Sequence, residues 1–125
     1  MDDYELAVEP RALLERVARE MGHDGAALDD YALRHLLHLM AGEDPLRSFP
    51  FVIEFVELVG PEPDAIGLLE EMLWAADSAL VDRLREEAMR GSASLRATVG
   101  LVHVGGSADP LWERVQQLQD DLARN

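Results

Sequence analysis

Phe51-Val-Ile-Glu-Phe-Val-Glu-Leu-Val59 is the stretch on which the fold class turns. Its β-branched and aromatic residues favour a strand. A half-buried strand, however, alternates apolar and polar residues strictly, and this stretch does not. Glu54 and Glu57 stand three apart, which puts both on one face of a helix and leaves the rest of the circumference apolar. The stretch therefore predicts a helix, and with it an all-α chain.

Working outward, the punctuation is that of helices joined by short turns. Asp44-Pro45 opens this helix, or Ser48 restarts it, since Pro50 falls inside and threatens a kink. Gly60-Pro61 ends it. Upstream, Pro10 starts a first helix with Leu13, Leu14, Val17 and Met21 facing in and Gly22 as its stop. Asp29 or Asp30 caps a second, with Leu33, Leu36, Leu37 and Met40 inward and Gly42 behind them. Downstream, a fourth helix runs from about Asp64 to Trp74. A fifth starts at Asp77 or Ser78 and stops at Gly91, with Leu80, Val81, Leu84 and Ala88 inward. Ser92 caps a sixth that ends at Gly105-Gly106, although Gly100 weakens it and Thr98 to Val104 also alternates tolerably as a strand. Asp109-Pro110 opens the last, with Leu111, Trp112, Val115, Leu118 and Leu122 inward.

Seven short helices in one domain, 1–125, are expected. The helix starts fall about 14 to 19 residues apart, which in pairs suggests stacked helical hairpins, a short HEAT-like solenoid. An irregular helical bundle is the alternative.

Composition narrows the function classes. The 125 residues are 48% hydrophobic and 29% charged, enough for a core and a wet surface, and they include no cysteine. That removes disulfides, thiolate metal sites and a cysteine nucleophile. The acidic start Met1-Asp2-Asp3-Tyr4-Glu5 is unlike a secretory signal, and the run from Phe49 to Val59 is too short and too charged to span a bilayer. A cytoplasmic protein with no membrane association is expected. The net charge of −14, with arginine as the sole cation type, should repel phosphate backbones and anionic lipid, which argues against direct nucleic-acid binding.

Chemistry-bearing patterns are sparse. His35 and His38 share a helix face, and Glu43 or Asp44 would be the further ligands of a metal site. Surface histidines are the plainer reading, and neither a metal nor another cofactor is expected. The doublets Asp29-Asp30, Glu70-Glu71, Glu86-Glu87 and Asp120-Asp121 point about 100° apart on a helix, so they do not converge as an acid–base pair. The serines stand mostly where helix caps are needed. Without lysine there is neither a phosphate-binding loop nor a Schiff base. No catalytic residue is named, and the chain reads as non-enzymatic. Trp112 lies in the apolar stripe of the last helix and should be core. Trp74 should be core too, although an exposed tryptophan would anchor an interface.

One charge pattern rises above this background. From Ser48 to Asp82 there is no cation, yet the segment holds Glu54, Glu57, Glu62, Asp64, Glu70, Glu71, Asp77 and Asp82. Like charge left unbalanced costs stability, while a single-sign field speeds capture of a basic partner. Glu54, Glu57, Glu62, Asp64, Glu70, Glu71, Trp74 and Asp77 are the candidate partner-binding residues. A solvated face in an acidic protein is the plainer reading. The expected partner is a basic protein, for example a toxin masked by an immunity-type protein. The rivals are an acidic DNA mimic, a metal-dependent helical hydrolase using His35 and His38, and a structural or adaptor domain.

Several of these features also form a loose set of motifs. Asp44-Pro45 opens an apolar helix, and Gly67-Leu-Leu-Glu-Glu-Met-Leu73 is followed by Asp82-Arg83. Leu95-Arg96 and Trp112-Glu-Arg-Val115 continue the series. Over roughly residues 33–118 the chain thereby resembles an uncharacterised family of small bacterial all-helical domains, a domain of unknown function. It departs from the family pattern in having Gly67-Leu68 for a Gly-Pro-like step and in lacking a His-Gly between those helices. The resemblance implies a helical 93–104 segment and singles out Glu70, Asp82 and Arg83. A charged Asp82–Arg83 neighbourhood that fixes helix packing accounts for those residues most simply.

Overall fold

The computed structural model describes residues 10–90, 92–103 and 110–124, of which 84% are helical, with no strand. In chain order the helices are α1 (Pro10–Glu20), α2 (Asp30–Glu43), α3 (Pro45–Val59), α4 (Pro63–Ala75), α5 (Ser78–Met89), α6 (Ala93–Gly100) and α7 (Pro110–Arg124). A single 3-10 turn, Gly25–Ala27, lies between α1 and α2 and was not anticipated from the sequence.

Short acceptor side chains set most of the starts. Asp29 accepts from the Ala32 N–H at 2.8 Å, Asp44 from Arg47 at 3.1 Å, Asp77 from Leu80 at 3.0 Å and Ser92 from Leu95 at 3.3 Å. Each satisfies one of the amide donors that a helix leaves open at its first turn. Asp44 serves two helices, because its own N–H donates to Met40 O and closes α2. Ser48 does not restart α3. It is buried, its hydroxyl donates to Pro45 O at 3.1 Å, and the helix continues through Pro50 to Val59. Gly22, at φ +84°, ends α1 in the left-handed region where a side chain would be strained.

The apolar stripes meet in one core. Leu13, Leu14 and Val17 of α1 join Leu33, Leu37 and Met40 of α2. Leu80, Val81, Leu84 and Ala88 of α5 are buried in the same core, as are Leu111, Trp112, Val115, Leu118 and Leu122 of α7. The doubtful α3 is the helix its glutamate spacing predicts: Phe49, Val52, Ile53, Phe55 and Val56 are buried, and Glu57 is exposed. Burying side chains of this size stabilises a fold by roughly 1.5–3 kcal/mol each before ordering costs.

Helix neighbours fit either a stack of hairpins or an irregular bundle. If α1–α2, α3–α4 and α5–α6 are taken as pairs, the principal packings fall within a pair or between successive pairs, and α7 caps the stack against α5 and α6. A stack of this kind needs no contact between its first and third hairpins. No described helix is long and apolar enough to cross a membrane.

The sixth helix is shorter than expected. It ends at Gly100, not at Gly105-Gly106, which lie outside the described residues. Leu101 and Val102 donate to Thr98 O and Val99 O at 3.1 and 3.2 Å, a tight closing turn that brings Val102 into the core. Gln119 of α7 then donates to Val99 O and Val102 O at 3.0 and 2.8 Å, giving Val102 O a partner and Val99 O a second one. Gly91, the expected stop of α5, and Asp109, the expected start of α7, also lie outside the described residues.

Candidate functional site

The cation-free run from 48 to 82 is cation-free only in sequence. Arginines from other helices reach it. Arg16 of α1 pairs with Glu54 of α3. Arg34 of α2 pairs with both Glu62 and Asp64, at 3.1 and 2.8 Å, at the start of α4. Burial opposes the charge on Arg34, but its bonds to Glu62 and Asp64 outweigh that and hold its pKa above the ordinary guanidinium value. Arg114 of α7 lies 3.4 Å from Asp82 of α5.

The remaining carboxylates are spread over different seams. Glu71 of α4 faces His38 Nδ1 at 3.5 Å, and Asp64 faces His38 Nε2 at 3.0 Å, so this histidine lies between two carboxylates on the α2–α4 seam. Glu70 points the other way and accepts from the His103 backbone N–H at 2.6 Å, just past the end of α6. Asp77 is committed to capping α5. Glu57 makes no ion pair among the described residues and is exposed. The acidic middle is therefore several local arrangements, not one continuous field.

Trp74 corrects the core assignment. It is 66% exposed, while Trp112 is 2% exposed as expected. The buried stripe of α4 is Ala65, Leu68, Leu69, Met72 and Leu73, and position 74 falls on the outward side as the helix ends. Its ring is nonetheless held, edge to face at 5.1 Å between centroids, by Trp112 of α7. Leu46, also exposed, lines a small groove with Pro45, Ala75, Asp77, Ala79, Leu80 and Arg83, beside the turn that follows Trp74.

His35 is exposed, and His38 is turned towards Asp64 and Glu71, not towards Glu43 or Asp44. No group of three potential metal ligands assembles among the described residues. Asp82 and Arg83 do not pair with each other. Asp82 reaches α7, and the Arg83 guanidinium lies 4.4 Å above the Phe49 ring, so both tie α5 to its neighbours.

Two surfaces escaped sequence reasoning. Arg96, Ala97, Gly100 and Leu101 of the α6 end face Gln119, Leu122 and Ala123 of α7 across a shallow groove. Tyr31 and Leu39 stand exposed on the outer side of α2, eight residues apart. The groove lies beside the end of α6 at Gly100, and the local pattern carried no signal strong enough to place that stop. Tyr31 and Leu39 fall off the inward stripe at 33, 37 and 40, and that spacing was the available signal.

No known family matches the chain, and neither a curated protein nor a solved structure is measurably similar to it. The likeness over 33–118 therefore rests on its motifs.

Proposed function

We propose that the chain is a protein-binding module, without catalytic activity of its own, that engages a basic protein partner through the outward side of α4 and its surroundings. The observation that carries this reading is Trp74: a large aromatic side chain, 66% exposed yet fixed against a buried tryptophan, within a strongly acidic segment. Exposed tryptophans held rigid are favoured interface anchors, because little conformational freedom is lost on binding. The net charge of −14 supports a cationic partner and works against direct nucleic-acid contact. A cytoplasmic immunity-type protein that masks the basic active site of a nucleic-acid-cleaving toxin is the concrete form of the proposal.

Affinity capture from the native host tests it. Wild type, Trp74→Ala and Glu57→Arg should be compared as baits, with circular dichroism confirming equal helicity. The wild type should retain a protein with a markedly basic isoelectric point, released by rising salt and lost or weakened with both variants. Retention of an acidic protein, or equal retention by all three baits, would refute the proposal.

A further inference from the structure

Arginine grips aromatic rings repeatedly on this chain. The guanidinium carbons of Arg16, Arg34 and Arg83 lie 6.0, 5.2 and 4.4 Å from the ring centroids of Phe51, Phe55 and Phe49. Arg16 holds a carboxylate at the same time, Glu54, which stands three residues after Phe51 on α3. The seat is thus an aromatic ring and a carboxylate one helical turn apart, with the guanidinium over the first and one of its nitrogens bonded to the second.

A related pairing stands on α4, with the carboxylates one turn before the ring instead of after it and no arginine in it. Glu70 and Glu71 precede Trp74 by four and three residues, so both stand one turn away from it. Among the described residues no guanidinium lies over Trp74. Tryptophan is the strongest of the aromatic acceptors for a cation. The two carboxylates are engaged but not saturated. Glu70 Oε2 accepts from the His103 N–H at 2.6 Å and Glu71 Oε2 faces His38 Nδ1 at 3.5 Å, whereas an ionised carboxylate offers about four acceptor sites.

We propose that Trp74, with one of its flanking carboxylates, Glu70 or Glu71, is the seat of an arginine side chain supplied by the partner. The contact rests on the protein-binding reading above and names the residue type that reading requires. Arginine fits better than lysine because a compact ammonium neither stacks flat on an indole nor forks to a carboxylate.

Short peptides of equal length that alternate glycine with arginine, lysine or citrulline provide the probes. Binding is followed by tryptophan fluorescence and checked by calorimetry. The wild type should bind the arginine peptide about two- to fivefold more tightly than the lysine peptide, and the citrulline peptide should bind far more weakly. Trp74→Leu should erase the arginine-over-lysine preference while keeping the salt-sensitive attraction that any polycation feels. Trp74→Phe should recover part of the preference, which separates loss of the ring from loss of the fold. Equal affinity of the wild type for the two cationic peptides, or a preference that survives Trp74→Leu, would overturn the proposal. So would concentration-dependent self-association in sedimentation that disappears in Trp74→Leu, since the occupant would then be a second copy of the chain. A flat peptide result alongside Trp74-dependent capture of a basic protein removes the arginine contact alone. Arginine preference with no basic protein ever captured removes the protein-partner reading and leaves only an arginine-selective seat.

Discussion

At Gly60 the end of α3 runs against α6 with no room for a side chain. A Cβ there would stand 2.2 Å from Thr98 Oγ1 and 2.6 Å from Val56 O, although the backbone angles suit any residue. The constraint is close approach, not conformation. Gly60→Ala should therefore destabilise the protein by about 1–3 kcal/mol in urea denaturation. Adding Thr98→Ala should return part of the loss, because one of the two clashes then disappears; no rescue would place the strain at Val56 instead. The sequence showed Gly60-Pro61 as a helix stop but not this contact, because the packing partner lies 38 residues away. Trp74 was illegible for a related reason. Near a helix end a one-position shift in the apolar stripe decides between core and solvent, and the stripe alone does not fix that phase.

Helix starts were the most legible elements, since a cap and its amide partner lie within three residues of each other. Asp29, Asp44, Asp77 and Ser92 all do what their positions suggest. Asp77→Ala should cost about 1 kcal/mol in thermal or urea unfolding. Asp44→Ala should cost a similar amount, and the double variant should be close to additive because the two caps serve different helices. A much smaller effect at Asp77 would show that packing of Leu80, Val81 and Leu84 holds the start of α5 without its cap. Helix ends were less legible. The end of α6 at Gly100 is met by Gln119 of α7, and short-range pattern does not contain that partner.

Across the whole molecule, helix packing brings sequence-distant charges together. Part of the charge of the 48–82 run is balanced by arginines from α1, α2 and α7, while Glu57, Glu70, Glu71 and Asp77 pair with no arginine among the described residues. Arg85 and Asp121 join α5 to α7 in the same way. The hydrogen bond from Arg85, helped by Gln117, holds the Asp121 carboxyl below its ordinary value against the effect of burial. A carboxyl depressed in the folded state stabilises it above the unfolded pKa, and that contribution is lost as pH falls through the folded pKa. Asp121→Asn should therefore be less stable than wild type at neutral pH, and the difference should close below the ordinary carboxylate range. A difference that persisted into strong acid would assign the loss to packing. With −14 net charge, added salt should raise the melting temperature of the wild type by screening repulsion.

On the proposed function, the α4 side of the molecule is a docking surface for a basic protein. Hydrogen exchange on the complex with a captured partner addresses it most directly. Slowed exchange is expected at the end of α4 and in the following turn, around residues 70–79, with no change on the outer side of α2 or in the α6–α7 groove. Protection confined to that groove, with residues 70–79 unchanged, would contradict it.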